Sequence, residues 1–129
     1  MKRSLSVILC LVCILTLAAC GKKSATITLP QASDITSVDI AVGENTVSRS
    51  DKNRISEIIA CISGSEPTER ESVQDVPGTE NHIRIDFHVG TGTSTIFAYE
   101  DSGEYYIEQP YQGIYKINRQ LYERLQEAG

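Results

Sequence analysis

The chain has 129 residues, of which 40% are hydrophobic and 22% are charged, and its formal net charge at pH 7 is −5. This length suits one small domain with a single core rather than several domains. The negative charge disfavours nucleic acid as a partner, because binding to phosphates needs an excess of lysine and arginine.

The first twenty residues have the layout of a secretory signal. Lys2 and Arg3 give a positive start, an apolar run extends from Leu5 to Ala19, and Cys20 follows small residues. An apolar run of about fifteen residues is short for a membrane span, which needs roughly twenty. The pattern therefore favours a cleaved signal peptide over an uncleaved membrane anchor.

The sequence Leu17-Ala18-Ala19-Cys20 resembles the lipobox of bacterial lipoproteins. The resemblance implies cleavage before Cys20 and attachment of diacylglycerol and palmitate there. Residues 1–19 would be the signal peptide, residues 20–25 a lipidated tether, and residues 26–129 a single extracytoplasmic domain. Because two or more acyl chains hold a protein on a bilayer, we expect it on the outer face of the cytoplasmic membrane.

Cysteine usage agrees with export. Cys10 and Cys13 leave with the signal peptide and Cys20 takes the lipid, so Cys61 is the one thiol left in the mature domain. No intramolecular disulfide is then possible. Cys61 lies in an apolar helical stripe, where we expect a buried thiol that packs as a small hydrophobe.

The first part of the domain predicts short strands. Residues 25–29 alternate apolar and hydroxyl side chains and stop at Pro30, which is typical of an edge strand. Residues 38–42 alternate in the same way, residues 43–45 form a turn, and residues 46–48 return as a second strand.

A helix and a long loop follow. Ser50 or Asp51 begins the helix, and Gly64 is predicted as its left-handed cap. One apolar face is formed by the residues Ile55, Ile58, Ile59 and Ile62. Residues 65–81 are polar and acidic, which predicts a solvated loop with a short strand around Ser72-Val73.

The second half of the domain predicts a run of hairpin strands. Residues 82–89 place isoleucine, phenylalanine and valine on one face and His82, Arg84, Asp86 and His88 on the other. Three further strands follow at residues 95–99, 105–108 and 114–117, separated by turns at 90–93, 101–103 and 109–113, and a last helix begins near Asn118.

This order predicts an α+β domain. Strands joined by tight turns pair antiparallel, which gives a sheet of about five to six strands with two helices packed on one face. The other face of such a sheet can be left in water. We expect any function to be located on that second face.

Three further segments are distinctive when taken together. They are Ile27-Thr28-Leu29-Pro30, Ser72-Val73-Gln74-Asp75-Val76-Pro77 and the tyrosine-rich stretch from Tyr105 to Tyr115. Together they resemble a small extracytoplasmic domain of unknown function found in lipoproteins of Gram-positive Firmicutes. The same domain is also found appended to membrane metallopeptidases of the β-lactam-sensor type. The resemblance implies a compartment but transfers no catalytic residue, and this chain has no His-Glu-x-x-His motif.

The polar face of the strand at residues 82–89 is one of two groups of side chains that could carry a function. Asp86 and His88 could hold a metal ion together with a ligand such as Glu100, but Arg84 adds positive charge to the same row. The favoured interpretation is a solvated face with an ion pair between Arg84 and Asp86. We therefore predict no metal, no cofactor and no catalytic residue.

The tyrosine-rich stretch is the second group of side chains that could carry a function. Tyr106, Glu108 and Tyr111 form the candidate interaction surface, because a tyrosine ring beside polar groups suits recognition of a protein or ligand. We expect the rings of Tyr106 and Tyr111 to be largely exposed, since Tyr106 alternates out of phase with Ile107 and Tyr111 follows Pro110 in a turn. The alternative is that the tyrosine rings fill the core.

The sequence thus predicts a membrane-anchored lipoprotein whose domain binds, senses or contacts an envelope protein or ligand without catalysis. The alternative is an envelope enzyme, or an inhibitor of one, that acts on peptidoglycan or peptides.

Overall fold

The computed structural model describes residues 26–129. The signal peptide, the lipobox cysteine Cys20 and the tether predicted for residues 1–25 lie outside the described residues. Within residues 26–129, both helices are too short and too polar to cross a membrane.

The domain has the predicted α+β composition. Its strands are β1 (Ser37–Val42), β2 (Asn45–Arg49), β3 (Glu66–Pro67), β4 (His82–Val89), β5 (Gly92–Asp101), β6 (Glu104–Gln109) and β7 (Gly113–Ile117). Its helices are α1 (Lys52–Ser63) and α2 (Arg119–Ala128), and a single 3-10 turn covers Ala32–Asp34.

The strands form one open antiparallel sheet in the order β2-β1-β4-β5-β6-β7-β3. Tight turns join β1 to β2 and link β4 through β7 in succession, so consecutive strands run antiparallel. The sheet has seven strands rather than five to six. The additional strand is β3, a two-residue edge strand that pairs with β7. It lies within residues 65–81, which were predicted as a loop.

The core lies between one face of this sheet and the two helices. Ile40, Ile85 and Ile96 are directly paired across β1, β4 and β5, and all three are fully buried. The helices add Ile55, Ile62 and Leu125 to the same cluster. Burial of these aliphatic side chains is the main favourable term in folding.

Both helices begin where the sequence predicted, and each begins with a side-chain cap. The Asp51 carboxylate accepts hydrogen bonds from the backbone N–H groups of Asn53 and Arg54 at 2.8 and 3.2 Å. The Asn118 side chain accepts from the Leu121 N–H at 2.8 Å. These bonds satisfy donors that the first helical turn leaves free.

Four local predictions are wrong. Gly64 ends α1 with φ −82°, so its cap is not left-handed. Residues 26–29 form no strand, and the Thr28 carbonyl instead accepts a hydrogen bond from the Gln109 side chain at 2.7 Å. Ser72-Val73 form no strand either, and Cys61 is half-buried rather than buried.

Candidate functional site

The second face of the sheet is divided into a covered half and an open half. Phe97, Tyr99 and Ile114 point away from the helices yet are 2%, 2% and 5% exposed. The covering layer is the long loop of residues 68–81, which we call the covering loop. This face was expected in water, and the expectation is wrong for β5 to β7 because the loop folds back over these strands.

A buried carboxylate connects the covering loop to the sheet. Glu108 lies on β6 and is 2% exposed. Its Oε1 accepts a hydrogen bond from the Ser72 hydroxyl at 2.7 Å, and the Tyr99 hydroxyl is also hydrogen-bonded to it. A buried carboxylate is tolerated only with such donors, since it has lost its hydration.

Tyr99 and Tyr106 extend this contact toward Arg70. Burial, reinforced by the charge of Glu108, raises the pKa of the Tyr99 phenol to about 12, so the phenol keeps its proton. The Tyr99 and Tyr106 rings are 5.9 Å apart. The Arg70 guanidinium lies 4.8 Å from the Tyr106 ring centroid and 3.4 Å from the Asp101 carboxylate.

A small cavity of about 310 Å³ remains beneath the covering loop. Glu108, Tyr99 and Arg70 are among its lining residues. Thr79 is a further lining residue, and its buried hydroxyl has no hydrogen-bond partner within residues 26–129. Apolar side chains such as Ile114 complete the lining, and apart from Thr79 the polar groups named here already have partners. No group of three His, Cys, Asp or Glu side chains in the described chain could hold a metal ion.

Tyr111 is held in an unusual backbone conformation by the turn between β6 and β7. The Gln112 N–H donates to the Gln109 carbonyl at 2.9 Å, and Pro110 and Tyr111 occupy the middle of the turn. Tyr111 has φ +60°, which is the arrangement of a type II turn and normally selects glycine or asparagine. A tyrosine in this place is strained, and such outliers are concentrated at functional sites.

The Tyr111 N–H donates to the Ser72 hydroxyl oxygen at 3.2 Å and so attaches this turn to the covering loop. Asp75 of the covering loop raises the pKa of the Tyr111 phenol, first through its hydrogen-bonding interaction with the hydroxyl and second through its negative charge. The loop and the turn therefore form one connected structure.

Three large hydrophobic side chains are exposed in the described part of the chain. They are Val73, Val76 and Tyr111, at 73%, 48% and 62% exposure. All three lie on the covering loop or on the turn bonded to it. We call them the loop–turn surface. Apolar side chains exposed together on a small domain are typical of a contact site.

The three residues predicted as an interaction surface differ in their exposure to solvent. Tyr111 is exposed, as predicted. Tyr106 is half-buried, so the prediction that its ring is largely exposed is wrong. Glu108 is wrong as a surface residue, because the covering loop buries it. Strand alternation correctly placed Glu108 and Ile107 on different faces of the sheet. It could not show that the face that carries Glu108 is covered.

The structure also identifies site residues that the sequence interpretation missed. Ser72 is the buried connection between loop, sheet and turn, and Val73 and Val76 supply most of the exposed apolar side chains. One available signal was the pair of valines in an otherwise polar loop.

The open half of the second face carries a polar network across β1, β4 and β5. His88 contacts the Asp39 carboxylate at 2.8 Å and the Thr93 hydroxyl at 3.2 Å. The pKa of Asp39 is lowered chiefly by its hydrogen bond to His88. These groups bond to one another across a flat surface.

The ion pair predicted between Arg84 and Asp86 on β4 is confirmed. Arg84 and Asp86 form an ion pair at 3.1 Å, and the Thr95 hydroxyl donates to Asp86 at 2.6 Å. Glu100 lies on the opposite side of the sheet from Asp86, so the trial metal site does not assemble.

The DUF5301 family model, described as a domain of unknown function (DUF5300), matches residues 23–116. The chain belongs to the DUF5301 family. This match spans the covering loop, the type II turn and every strand, ending within β7.

One solved structure is similar to this DUF5301 domain. It is titled "NMR structure of the protein from Ruminococcus gnavus" and shares 33% sequence identity with a TM-score of 0.66. The alignment covers 75% of this chain and 99% of the Ruminococcus chain. No curated protein matches the chain.

Proposed function

We propose that this protein is a lipid-anchored extracytoplasmic lipoprotein whose DUF5301 domain acts as a non-catalytic interaction module at the cell envelope. The loop–turn surface is the proposed contact site. The observation that carries the proposal is that all the large exposed hydrophobic side chains of the described chain belong to this surface.

The hydrogen bonds that hold the loop–turn surface in place support a role in recognition. Ser72 bonds the covering loop both to the turn and to Glu108 on β6. A preformed surface binds with a smaller loss of conformational entropy than a flexible loop. Tyr111 adds a flat ring and a hydroxyl, a combination enriched at protein interfaces.

The anchor belongs to the same proposal. Cleavage before Cys20 and acylation of its sulfur would leave only residues 20–25 between the lipid and the described domain. The contact site would then act close to the membrane surface. The same domain appended to membrane metallopeptidases, as the sequence resemblance implies, would be used there as an accessory contact domain.

Affinity capture from envelope extract of the producing bacterium tests the proposal. The bait is the chain from position 20 with Cys20→Ser, used as parent and as the Val73→Ser/Val76→Ser variant. The matched control is Thr46→Ser/Thr91→Ser, which removes one methyl group from each of two exposed side chains outside the loop–turn surface.

We expect a partner that the parent and the control retain and that the valine variant loses. Equal retention of every captured protein by all three baits would contradict the proposed surface. Turnover of peptidoglycan or peptides by the purified domain would contradict the non-catalytic assignment.

A further inference from the structure

A groove of about 560 Å³ runs between α1 and α2, on the opposite side of the sheet from the loop–turn surface. Its volume is within the range of about 300–1,000 Å³ that is typical of small-molecule sites. Apolar side chains from both helices line it, among them Ile58, Leu121 and Leu125.

Arginines from three elements border this apolar groove. Arg54 lies on α1, Arg124 lies on α2, and Arg49 lies at the end of β2. Glu57 and Glu127 also line the groove, so the lining has an excess of one positive charge while the whole chain has a net charge of −5. The groove is therefore a local exception to the acidic character of the protein.

Arg54 and Arg124 differ from every other basic residue of the described chain. Within residues 26–129 their guanidinium groups have no hydrogen-bond or ion-pair partner, although Glu57 and Glu127 are near them in sequence. The other basic side chains, Arg49, Lys52, Arg70, Arg84, Lys116 and Arg119, all have partners. Both unpaired cations thus lie at one groove.

We propose that this groove binds a free anionic amphiphile with a single alkyl chain, of the fatty-carboxylate class. The alkyl chain would lie on Ile58, Leu121 and Leu125 between the helices. Its carboxylate would accept hydrogen bonds from Arg54 and Arg124, whose planar donor groups match a carboxylate. Charge complementarity with the two arginines selects an anionic head group over a neutral or cationic one, and the apolar side chains contact the alkyl chain.

Arg49 has a different role at the same groove. Its guanidinium donates to the Ala128 carbonyl at 3.2 Å and so holds the last turn of α2 against β2. It lines the groove and adds positive potential, while its guanidinium is already engaged by the Ala128 carbonyl. We expect Arg49 to position α2, with Arg54 and Arg124 contacting the carboxylate.

Titration of the ¹⁵N-labelled chain from position 20, carrying Cys20→Ser, tests the proposal. The probes are monomeric decanoate, decyltrimethylammonium and decyl maltoside, which share an alkyl chain and differ in head-group charge. We expect saturable shifts confined to α1 and α2 with decanoate, and affinities weaker by about tenfold or more for the other two probes.

Two charge-matched variants locate the site. Arg54→Gln/Arg124→Gln should weaken decanoate binding by about tenfold or more. Arg84→Gln/Lys116→Gln lowers the net charge equally on the other face of the sheet and should leave the affinity unchanged. Both variants keep exposed positions polar, and unperturbed spectra away from the helices will confirm that they fold.

Four outcomes would overturn the proposal. They are no decanoate binding, equal affinity for the three probes, decanoate binding that survives Arg54→Gln/Arg124→Gln, and binding only to vesicles of phosphatidylglycerol. The last result would show contact with a bilayer instead of a free amphiphile. None of them bears on the loop–turn surface, so this proposal and the interaction module can fail separately.

Discussion

Ser72 uses its hydroxyl group twice. It donates to the Glu108 carboxylate at 2.7 Å and accepts from the Tyr111 N–H at 3.2 Å. One small side chain therefore connects the covering loop, the sheet and the type II turn. The hydroxyl is buried, donates one hydrogen bond and accepts one, and both bonds hold the local structure together.

Ser72→Ala should reduce the free energy of unfolding by about 1–3 kcal/mol, because the Glu108 carboxylate stays buried after losing a donor. Urea unfolding at pH 7 measures this loss. Ser56→Ala is the matched control at an exposed position of α1 and should change stability by less than about 0.5 kcal/mol. Equal effects of the two substitutions would contradict the assigned role of Ser72.

The contact between Asp39 and His88 makes a pH-dependent contribution to stability. Because the hydrogen bond to His88 lowers the pKa of Asp39 in the folded state, this contribution is present above the ordinary aspartate pKa of about 3.9. It is lost as the pH falls through the folded-state value. Asp39→Asn should therefore reduce stability near pH 7, by about 1 kcal/mol or less, and have little effect near pH 2.

Urea unfolding at the two pH values checks this sign. His88→Gln supplies the control background, in which Asp39→Asn should have a smaller effect at pH 7. A loss of stability that grows as the pH is lowered would contradict the assigned direction.

At the scale of elements, the turn between β6 and β7 combines a strained backbone at Tyr111 with an exposed side chain at the same residue. A non-glycine residue in the left-handed region costs about 1–2 kcal/mol, and Tyr111 occupies that region with most of its ring in water. The turn thus carries strain that the exposed ring does not offset by burial. We interpret this strain as the cost of presenting the ring.

Tyr111→Gly should leave the free energy of unfolding unchanged or raise it by up to about 1 kcal/mol, since relief of strain exceeds the entropy that glycine adds to the unfolded chain. Thermal unfolding measures the difference. The neighbouring Gln112 has no left-handed φ, so Gln112→Gly should lower stability by about 0.5–1 kcal/mol. A loss larger than about 1 kcal/mol for Tyr111→Gly would show that the ring supports the fold.

The sequence was most informative where side chains alternate. The alternation in β4 predicted the strand and its buried face correctly, because the side-chain period of a strand is two. Asp51 and Asn118 were recognisable as caps because their short polar side chains reach the first free N–H groups.

The covering loop could not be predicted in this way. Its packing depends on single long-range contacts, such as Ser72 with Glu108 and Arg70 with Tyr106, which leave no periodic pattern. The identity of Tyr111 as a surface residue followed from its turn. The burial of Glu108 required knowledge of what lies above β6.

At the scale of the whole molecule, the sheet separates two unlike surfaces. The covering loop and the turn present an apolar surface on one side, and the helices present a groove with unpaired arginines on the other. A lipid anchor at Cys20 would hold both surfaces near the membrane while the net negative charge of the chain disfavours flat electrostatic binding to anionic lipid.

Cys20→Ser should abolish acylation and release the protein from the membrane fraction, because no thiol remains beside the predicted cleavage position. Phase partitioning in detergent measures the change, with the parent in the detergent phase and the variant either aqueous or uncleaved. Cys61→Ser is the control, and it should partition like the parent. A Cys20→Ser protein that is cleaved and partitions like the parent would contradict the lipobox assignment.

Photo-crosslinking in living cells tests the central claim most directly. A photoreactive phenylalanine analogue replaces Tyr111 in the full chain, and the control carries it in place of Gln120, an exposed residue of α2. The account predicts a discrete crosslinked envelope protein at position 111 that is absent at position 120 and lost when Val73→Ser/Val76→Ser is added. No crosslink at position 111, or the same products from both positions, would contradict the claim that the loop–turn surface is the contact site.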